Sequence, residues 1–229
     1  MEFLEKVVRA IRLGYPVMIY DDDNREAEVD LVYPAWAADP DVIYTLRVEA
    51  GGLICYVTES RVTSILGLPW GDEILMNYGK LALLASKRLR YGDRPAFTIW
   101  VNHINVRTGI SDEDRSLTIR RLDDIVKLIH EGRIEEAKSI FYSEFQAPGH
   151  VPILAARDLR VRRGHTEISI ALFKIAGLRP SLVLAEMLSR GKSMSLEEAK
   201  TIASSRSIPL VLGSDIIKWC MSSEVCWSS

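Results

Sequence analysis

Ten residues near the start of the chain, Asp21 to Asp30, read DDDNREAEVD and hold six carboxylates and one arginine. Such a run is either a solvated acidic turn or a cation site. Its position favours the second reading. It directly follows the apolar run PVMIY and directly precedes DLVYPA, and strand ends are where α/β folds build sites. Carboxylates there can bind Mg2+, and Arg25 among them can hold a phosphate or a carboxylate in place. A second cluster, VRRGHTEI, places Arg162, Arg163, Gly164, His165 and Thr166 ahead of an amphipathic helix. Free N–H groups and the positive end of the helix dipole make that position an anion site, and the two arginines and Thr166 would complete a phosphate cradle. The plainer alternative is a capped helix with exposed arginines. A third cluster is sparser. His150 follows Pro-Gly at an expected turn, and Glu186 stands inside the apolar run LVLAEML. Burying an ionised carboxylate is costly without a partner, so Glu186 either faces the surface or serves a site. Burial would raise its pKa, which suits general acid/base work.

The remaining histidines and the cysteines attract blander readings. His103 alternates with Phe97, Ile99 and Val101 and is expected to pack in the core on one strand face. His130 is expected in solvent beside Glu131. Cys55 reads as a small core hydrophobe. Cys220 and Cys226 have no histidine nearby to complete a zinc site. Three cysteines make no framework of spaced pairs, which points to a reducing, cytoplasmic setting without disulfides.

Strands and helices must position these clusters, and the periodicity supplies them. Phe3, Leu4, Val7, Val8 and Ile11 predict an amphipathic helix stopped by Gly14. PVMIYD, DLVYPA and LICYV predict strands, with PDVIYTLRVEA a helix ending at Gly51-Gly52 and SRVTSILGLPW a short helix. Residues 67–94 predict a long surface excursion. AFTIWVNHI alternates as a strand does. Two helices are expected over GISDEDRSLTIRRL and DDIVKLIHEGRIEEAKSIFY, entered through Ser or Asp caps. PGHVPILAA and LRVRR predict short extended pieces, HTEISIALFKIAGL a helix, and SLVLAEML a strand or buried segment. SLEEAKTIASSRS carries a capping box at Ser195 and Glu198, and PLVLG and SDIIKWC predict a last strand and helix.

No linker, repeat or low-complexity tract interrupts this alternation. It predicts one α/β (α+β) domain over residues 1–229, a mixed β-sheet covered by helices. A length of 229 residues agrees with one large domain. Hydrophobic residues at 48% and charged residues at 26% exclude a disordered chain. A net charge of -2 argues against non-specific nucleic-acid binding as the main task. The start, MEFLEK, lacks a signal-peptide pattern, and no apolar run approaches the ~20 residues that span a bilayer, so no membrane partner is expected.

Taken together the motifs resemble the 3,4-dihydroxy-2-butanone 4-phosphate synthase family over nearly the whole chain. The family's acidic loop D-D-E-[DN]-R-E-x-E-G-D is matched by Asp21 to Asp30, with Val29 where the family has Gly. Its Gly-Leu-Ile-Cys is Gly52 to Cys55, its TGIS-x-x-DR is Thr108 to Arg115, and its PGHV is Pro148 to Val151. R-x-GHTE is Arg162 to Glu167, and the later glutamate is Glu186. The resemblance implies conversion of D-ribulose 5-phosphate to L-3,4-dihydroxy-2-butanone 4-phosphate and formate, in riboflavin biosynthesis. It implies Mg2+ or Mn2+ held by Glu26 and His165, with Arg25, Asp30 and Arg162 to Thr166 around the phosphosugar. It further implies His150 and Glu186 as proton-transfer residues, Cys55, Thr108 and Ser111 lining the pocket, and a homodimer. Two other readings stay open: another metal-dependent phosphosugar isomerase or aldolase, and a nucleotide- or RNA-binding α/β module.

Overall fold

The computed structural model describes residues 2–222 and 224–227. Ten α-helices and nine strands alternate along these residues. The first half contains α1 (Glu2–Arg12), β1 (Val17–Tyr20), β2 (Val29–Pro34), α2 (Pro40–Thr45), β3 (Cys55–Glu59), α3 (Ser60–Ile65), α4 (Gly71–Met76), α5 (Ala82–Ala85) and β4 (Phe97–His103). The second contains α6 (Asp112–His130), α7 (Ile134–Glu144), β5 (Phe145–Ala156), α8 (His165–Ile175), β6 (Ser181–Glu186), β7 (Leu188–Ser189), β8 (Lys192–Ser193), α9 (Leu196–Arg206), β9 (Leu210–Leu212) and α10 (Gly213–Met221). Seven strands form one sheet in the order β4-β5-β3-β6-β2-β1-β9. It is mixed, as expected: β3 runs parallel to β5 and β1 to β9, while β2 and β6 pair antiparallel to their neighbours.

Strand side chains alternate between faces, so each strand feeds two cores. Tyr56, Val183, Ala185, Met18 and Leu31 pack on one face beneath α2, α6, α7 and α9. Cys55, Val57, Leu182, Leu184, Ile19 and Val32 pack on the other, beneath α1, α8 and α10. Phe173 and Leu172 of α8 are completely enclosed there, and burying such side chains stabilises the fold by roughly 2 kcal/mol each. The same alternation carries Asp30 and Glu186 onto the α8 face. The register places Asp30 opposite Glu186 and Cys55 opposite Leu184.

Several expectations change. The two helices foreseen around Asp123 break later. α6 runs through Asp123 because Leu122, Ile125, Val126 and Ile129 continue its buried stripe, and the turn comes at Gly132 with φ 79°. Asp123 is no cap but a buried partner of Arg179 at 3.0 Å. LRVRR is a turn, with Val161 and Arg162 both donating to the Asp158 carbonyl, rather than an extended piece. His103 is buried edge-on against Phe145, as expected. Irregularities in β4 between Phe97 and Trp100 and between Val101 and Asn102 break the single-face register foreseen for it. His130 is exposed, as expected, and pairs there with Glu59 at 3.2 Å. Cys220 and Cys226 form a disulfide, contrary to the expectation of no pairing. The turn after α10 folds back on the helix, and Trp227 Nε1 donates to the Cys220 carbonyl at 3.0 Å. That pairing removes the cysteine argument for a reducing compartment. No helix among the described residues is long and apolar enough to cross a membrane.

Candidate active site

The acidic loop wraps around one of its own carboxylates. Asp21 is buried and accepts hydrogen bonds from the backbone N–H groups of Glu26 and Glu28 and from Arg25 Nη1, at 3.1, 3.0 and 3.0 Å. Ala27 supplies the left-handed step, with φ 54°. Val29 already lies in β2, opposite Tyr20, where extended backbone suits a β-branched residue. The loop therefore needs no glycine at that position. Held this way, Glu26 and Arg25 turn toward the N-terminus of α8.

His165 opens α8 and is buried. Its Nε2 lies 3.0 Å from the Glu28 carbonyl and 3.6 Å from Asp30 Oδ1, and its Nδ1 lies 3.4 Å from Glu26 Oε2. Burial alone would lower the pKa of His165. The charge of Asp30 and the hydrogen bond to Glu26 outweigh it and lift the pKa to about 9. Burial also opposes ionisation of Glu26, but His165, Tyr91 and Arg25 bring its pKa down to about 2. Asp30 is 2% exposed, and its Oδ1 has no hydrogen-bond partner. Burial lifts its pKa to about 8 against the opposing charge of His165.

This donor set fits a hard divalent cation. Ligand atoms of Asp21, Glu26 and His165 all lie within 4.8 Å of one another. Asp21 accepts three hydrogen bonds from the loop backbone and Arg25, which makes it the organiser of the loop. Glu26 and His165 are the members of this group whose atoms could hold the cation. The hydrogen bond from Nε2 to the Glu28 carbonyl orients Nδ1 toward Glu26, as outer partners orient metal-binding histidines.

The α8 N-terminus supplies the anion end. Gly164 is its N-cap, and a Cβ there would lie 2.6 Å from both Arg25 Nη2 and Arg162 Nη1. Only glycine lets the two guanidinium groups approach this turn. Arg162 is anchored by the buried Glu167 and by the Arg94 carbonyl, at 3.0 Å for the latter. Arg25 Nη2 is buried without a partner. Across the cavity, Glu186 Oε2 accepts the Leu53 N–H at 2.8 Å, and its carbonyl accepts the Gly52 N–H at 2.9 Å. Burial raises the Glu186 pKa. A Cβ on Gly52 would fall 2.4 Å from Glu186 Oε2, which explains the glycine that opens the Gly-Leu-Ile-Cys motif. Burial raises the Cys55 thiol well above its usual value, so it faces the cavity uncharged at neutral pH.

Of the residues picked from the sequence, Glu26, Asp30, Cys55, Arg162, His165, Thr166 and Glu186 line one cavity of about 580 Å³. Arg25 and Gly164 border it. Arg163 is exposed and lines an outer groove with Asp22 and Lys218 instead. Thr108, Ser111 and His150 do not line the cavity. Ser111 caps α6, accepting the Asp114 N–H at 3.1 Å, and Asp114 accepts from the N–H groups of Arg107, Thr108 and Gly109. His150 accepts no place near Glu26 either; its N–H donates to Asn102 Oδ1 at 2.8 Å. Asn102 also abuts Gly109, so the TGIS and PGHV turns form a second cluster around this residue. Sequence reasoning missed Asn102, whose polarity inside a β-rich run was the available signal. It also missed the role of the excursion, whose Lys87, Arg88, Leu89, Tyr91 and Asp93 roof the cavity. No periodicity marks a roof.

The profile of the 3,4-dihydroxy-2-butanone 4-phosphate synthase family matches residues 5–219. The synthase of that name from Archaeoglobus fulgidus is 36% identical over 230 residues, covering 93% of this chain and 92% of that protein. The one from Methanothermobacter thermautotrophicus is 35% identical over 223 residues, covering 94% of each. A crystal structure of a 3,4-dihydroxy-2-butanone 4-phosphate synthase in complex with two magnesium ions superposes with a TM-score of 0.75 at 26% identity, covering 97% of this chain and 98% of that one. A fold match across the full length, sequence identity above one third and one cavity that gathers four of the six motifs lead to one assignment: this chain belongs to the 3,4-dihydroxy-2-butanone 4-phosphate synthase family.

Proposed function

We propose that the protein converts D-ribulose 5-phosphate to L-3,4-dihydroxy-2-butanone 4-phosphate and formate, supplying the four-carbon unit of riboflavin. The observation that carries this reading is the placement of the Glu26–His165 pair and the α8 N-terminus in one cavity, with Arg25 Nη2 free between them. A phosphate at α8 would meet helix N–H groups, Thr166 and the arginines. The sugar would then extend along the sheet toward Cys55 and Glu186. Bound at Glu26 and His165, Mg2+ or Mn2+ supplies positive charge against the oxyanion that develops when the sugar enolises. Glu186, raised in pKa and fixed by the Leu53 N–H, is placed to take and return a proton. Asp30, neutralised in part by burial, is placed to hold sugar hydroxyls. The roof of residues 84–95 limits water at the reacting carbons.

His150 belongs to this scheme through a second copy. It lies in the Asn102 cluster rather than in the cavity of its own chain, so a homodimer that sets this cluster against the partner's cavity would complete two sites. Thr108 enters by the same route. Cytoplasmic work agrees with a phosphorylated substrate. The experiment is incubation with ribulose 5-phosphate and Mg2+, followed by NMR. Formate and the four-carbon phosphate are expected. An isomerised pentose phosphate without formate would instead support another phosphosugar enzyme.

A further inference from the structure

The roof over the cavity is pinned at its base and bare in its middle. Trp70 Nε1 donates to the Ala155 carbonyl at 3.3 Å, and the Arg157 guanidinium lies 4.0 Å from the Trp70 ring. Arg157 also reaches Asp72 at 3.4 Å and the Pro95 carbonyl at 3.3 Å, which ties both ends of the excursion to the residue that follows β5. Between these ends Leu83, Leu84 and Leu89 are 66%, 60% and 67% exposed. As the excursion returns, it touches the acidic loop. Asp93 Oδ2 accepts from Arg25 Nε at 2.8 Å, and the Tyr91 ring lies 4.7 Å from Arg25 Cζ.

A guanidinium has five N–H donors in one rigid plane. In Arg25, Nε is taken by Asp93 and Nη1 by Asp21 and Glu26. Asp93 and Asp21 thus hold two different nitrogens of the plane, and Tyr91 covers its face. The orientation left to Nη2 is toward the Gly164 turn, where it is buried and has no partner. An unpaired buried guanidinium nitrogen is costly unless a ligand meets it. We propose that Asp93 is a positioning residue that acts through Arg25, aiming Nη2 at the phosphate of a sugar phosphate seated on the α8 N-terminus. The inference rests on reading the cavity as a phosphosugar site. It assigns the roof a task in recognition, beyond excluding water.

The test compares wild type with Asp93→Ala, Asp93→Asn and Arg25→Ala, each checked for folding by circular dichroism. Loss of one charge-assisted hydrogen bond should weaken inorganic phosphate binding, measured by calorimetry, about tenfold in Asp93→Ala, with Mn2+ affinity by electron paramagnetic resonance within about twofold. Asp93→Asn keeps an acceptor for Nε and should recover part of the loss. In turnover, KM for ribulose 5-phosphate should rise about tenfold with kcat within about threefold. Arg25→Ala with Asp93→Ala should bind phosphate no more weakly than Arg25→Ala alone, because Asp93 works through that side chain. Additive losses in the double variant, or phosphate affinity of Asp93→Ala within about twofold of wild type, would overturn the proposal. The phosphate and Mn2+ measurements need no turnover. A wild-type protein that releases no formate therefore overturns the function reading and leaves this test intact.

Discussion

Asp30 and Glu186 face each other across the β2–β6 ladder, two carboxylates at directly opposed positions on the α8 face. Burial is the first cause that raises both pKa values, and each site also feels nearby carboxylates. Such crowding of acids is destabilising unless cations or protons relieve it. His165 gives partial relief, and a divalent metal on Glu26 and His165 would give more. Two outcomes are expected at this scale. Glu186→Gln keeps the acceptor for the Leu53 N–H but cannot take a proton, so kcat should fall about 100- to 10,000-fold with the far-UV spectrum unchanged. Near-normal kcat would reduce Glu186 to a structural role. EDTA should abolish formate release and added Mg2+ or Mn2+ restore it, while Glu26→Gln weakens Mn2+ binding more than about tenfold. Full activity after metal stripping would exclude this ligand pair.

Elements set where these residues point. Alternation along β2, β3 and β6 delivers Asp30, Cys55 and Glu186 to one face, and the α8 N-terminus brings His165 and Thr166 to meet them. The turn before α6 shows the same logic away from the cavity. Asp114 gathers the N–H groups of Arg107, Thr108 and Gly109 at 3.1, 3.1 and 2.8 Å. Burial opposes its ionisation, but these backbone donors hold its pKa well below the usual 3.8. A depressed folded-state pKa stabilises the fold above the unfolded value, and that contribution is lost as pH falls through the folded one. Asp114→Asn should therefore cost about 1–3 kcal/mol in urea unfolding at pH 7. The gap from wild type should close progressively below about pH 5. A gap that does not change with pH would show that charge is not what Asp114 contributes.

At the scale of the whole molecule, the motifs divide into two groups. The acidic loop, Gly52 to Cys55, Arg162 to Glu167 and Glu186 share the cavity, whereas Thr108 and Ser111 bond Asp114, and their turn meets His150 at Asn102 through Gly109. A two-fold dimer reconciles them if each chain offers its second group to the other's cavity. Glu26→Ala and His150→Ala would then each be inactive alone. In a mixed dimer one site keeps both wild-type groups and the other keeps neither. Random exchange of equal amounts makes half the dimers mixed, so about a quarter of wild-type formate production should return. Proven subunit exchange without recovery would place His150 in its own chain's site, and sedimentation as a monomer would exclude the dimer.

What the sequence determined by itself was local. Periodicity placed the helices and strands because burial of one face repeats every second or every third to fourth residue. The capping box at Ser195 and Glu198 formed as written, since it depends on four neighbouring residues. The acidic loop and the α8 turn were legible because unusual charge beside apolar runs is itself the signal. Tertiary structure decided whatever depends on residues far apart in the chain. The register that opposes Asp30 to Glu186 depends on a strand pairing across more than half the sequence. The grip of Asp93 on Arg25 spans 68 positions. The β4 irregularities that send Phe97 to the other core from Ile99 and Val101, and the fold-back that joined Cys220 to Cys226, arise from packing against other segments. Whether Arg163 or Arg162 faces the cavity was settled by the turn at Asp158, which rotates one inward onto Glu167 and leaves the other in solvent. Residue type announces that a charge must be compensated; only the assembled fold chooses the partner, because that choice is made by distance and burial.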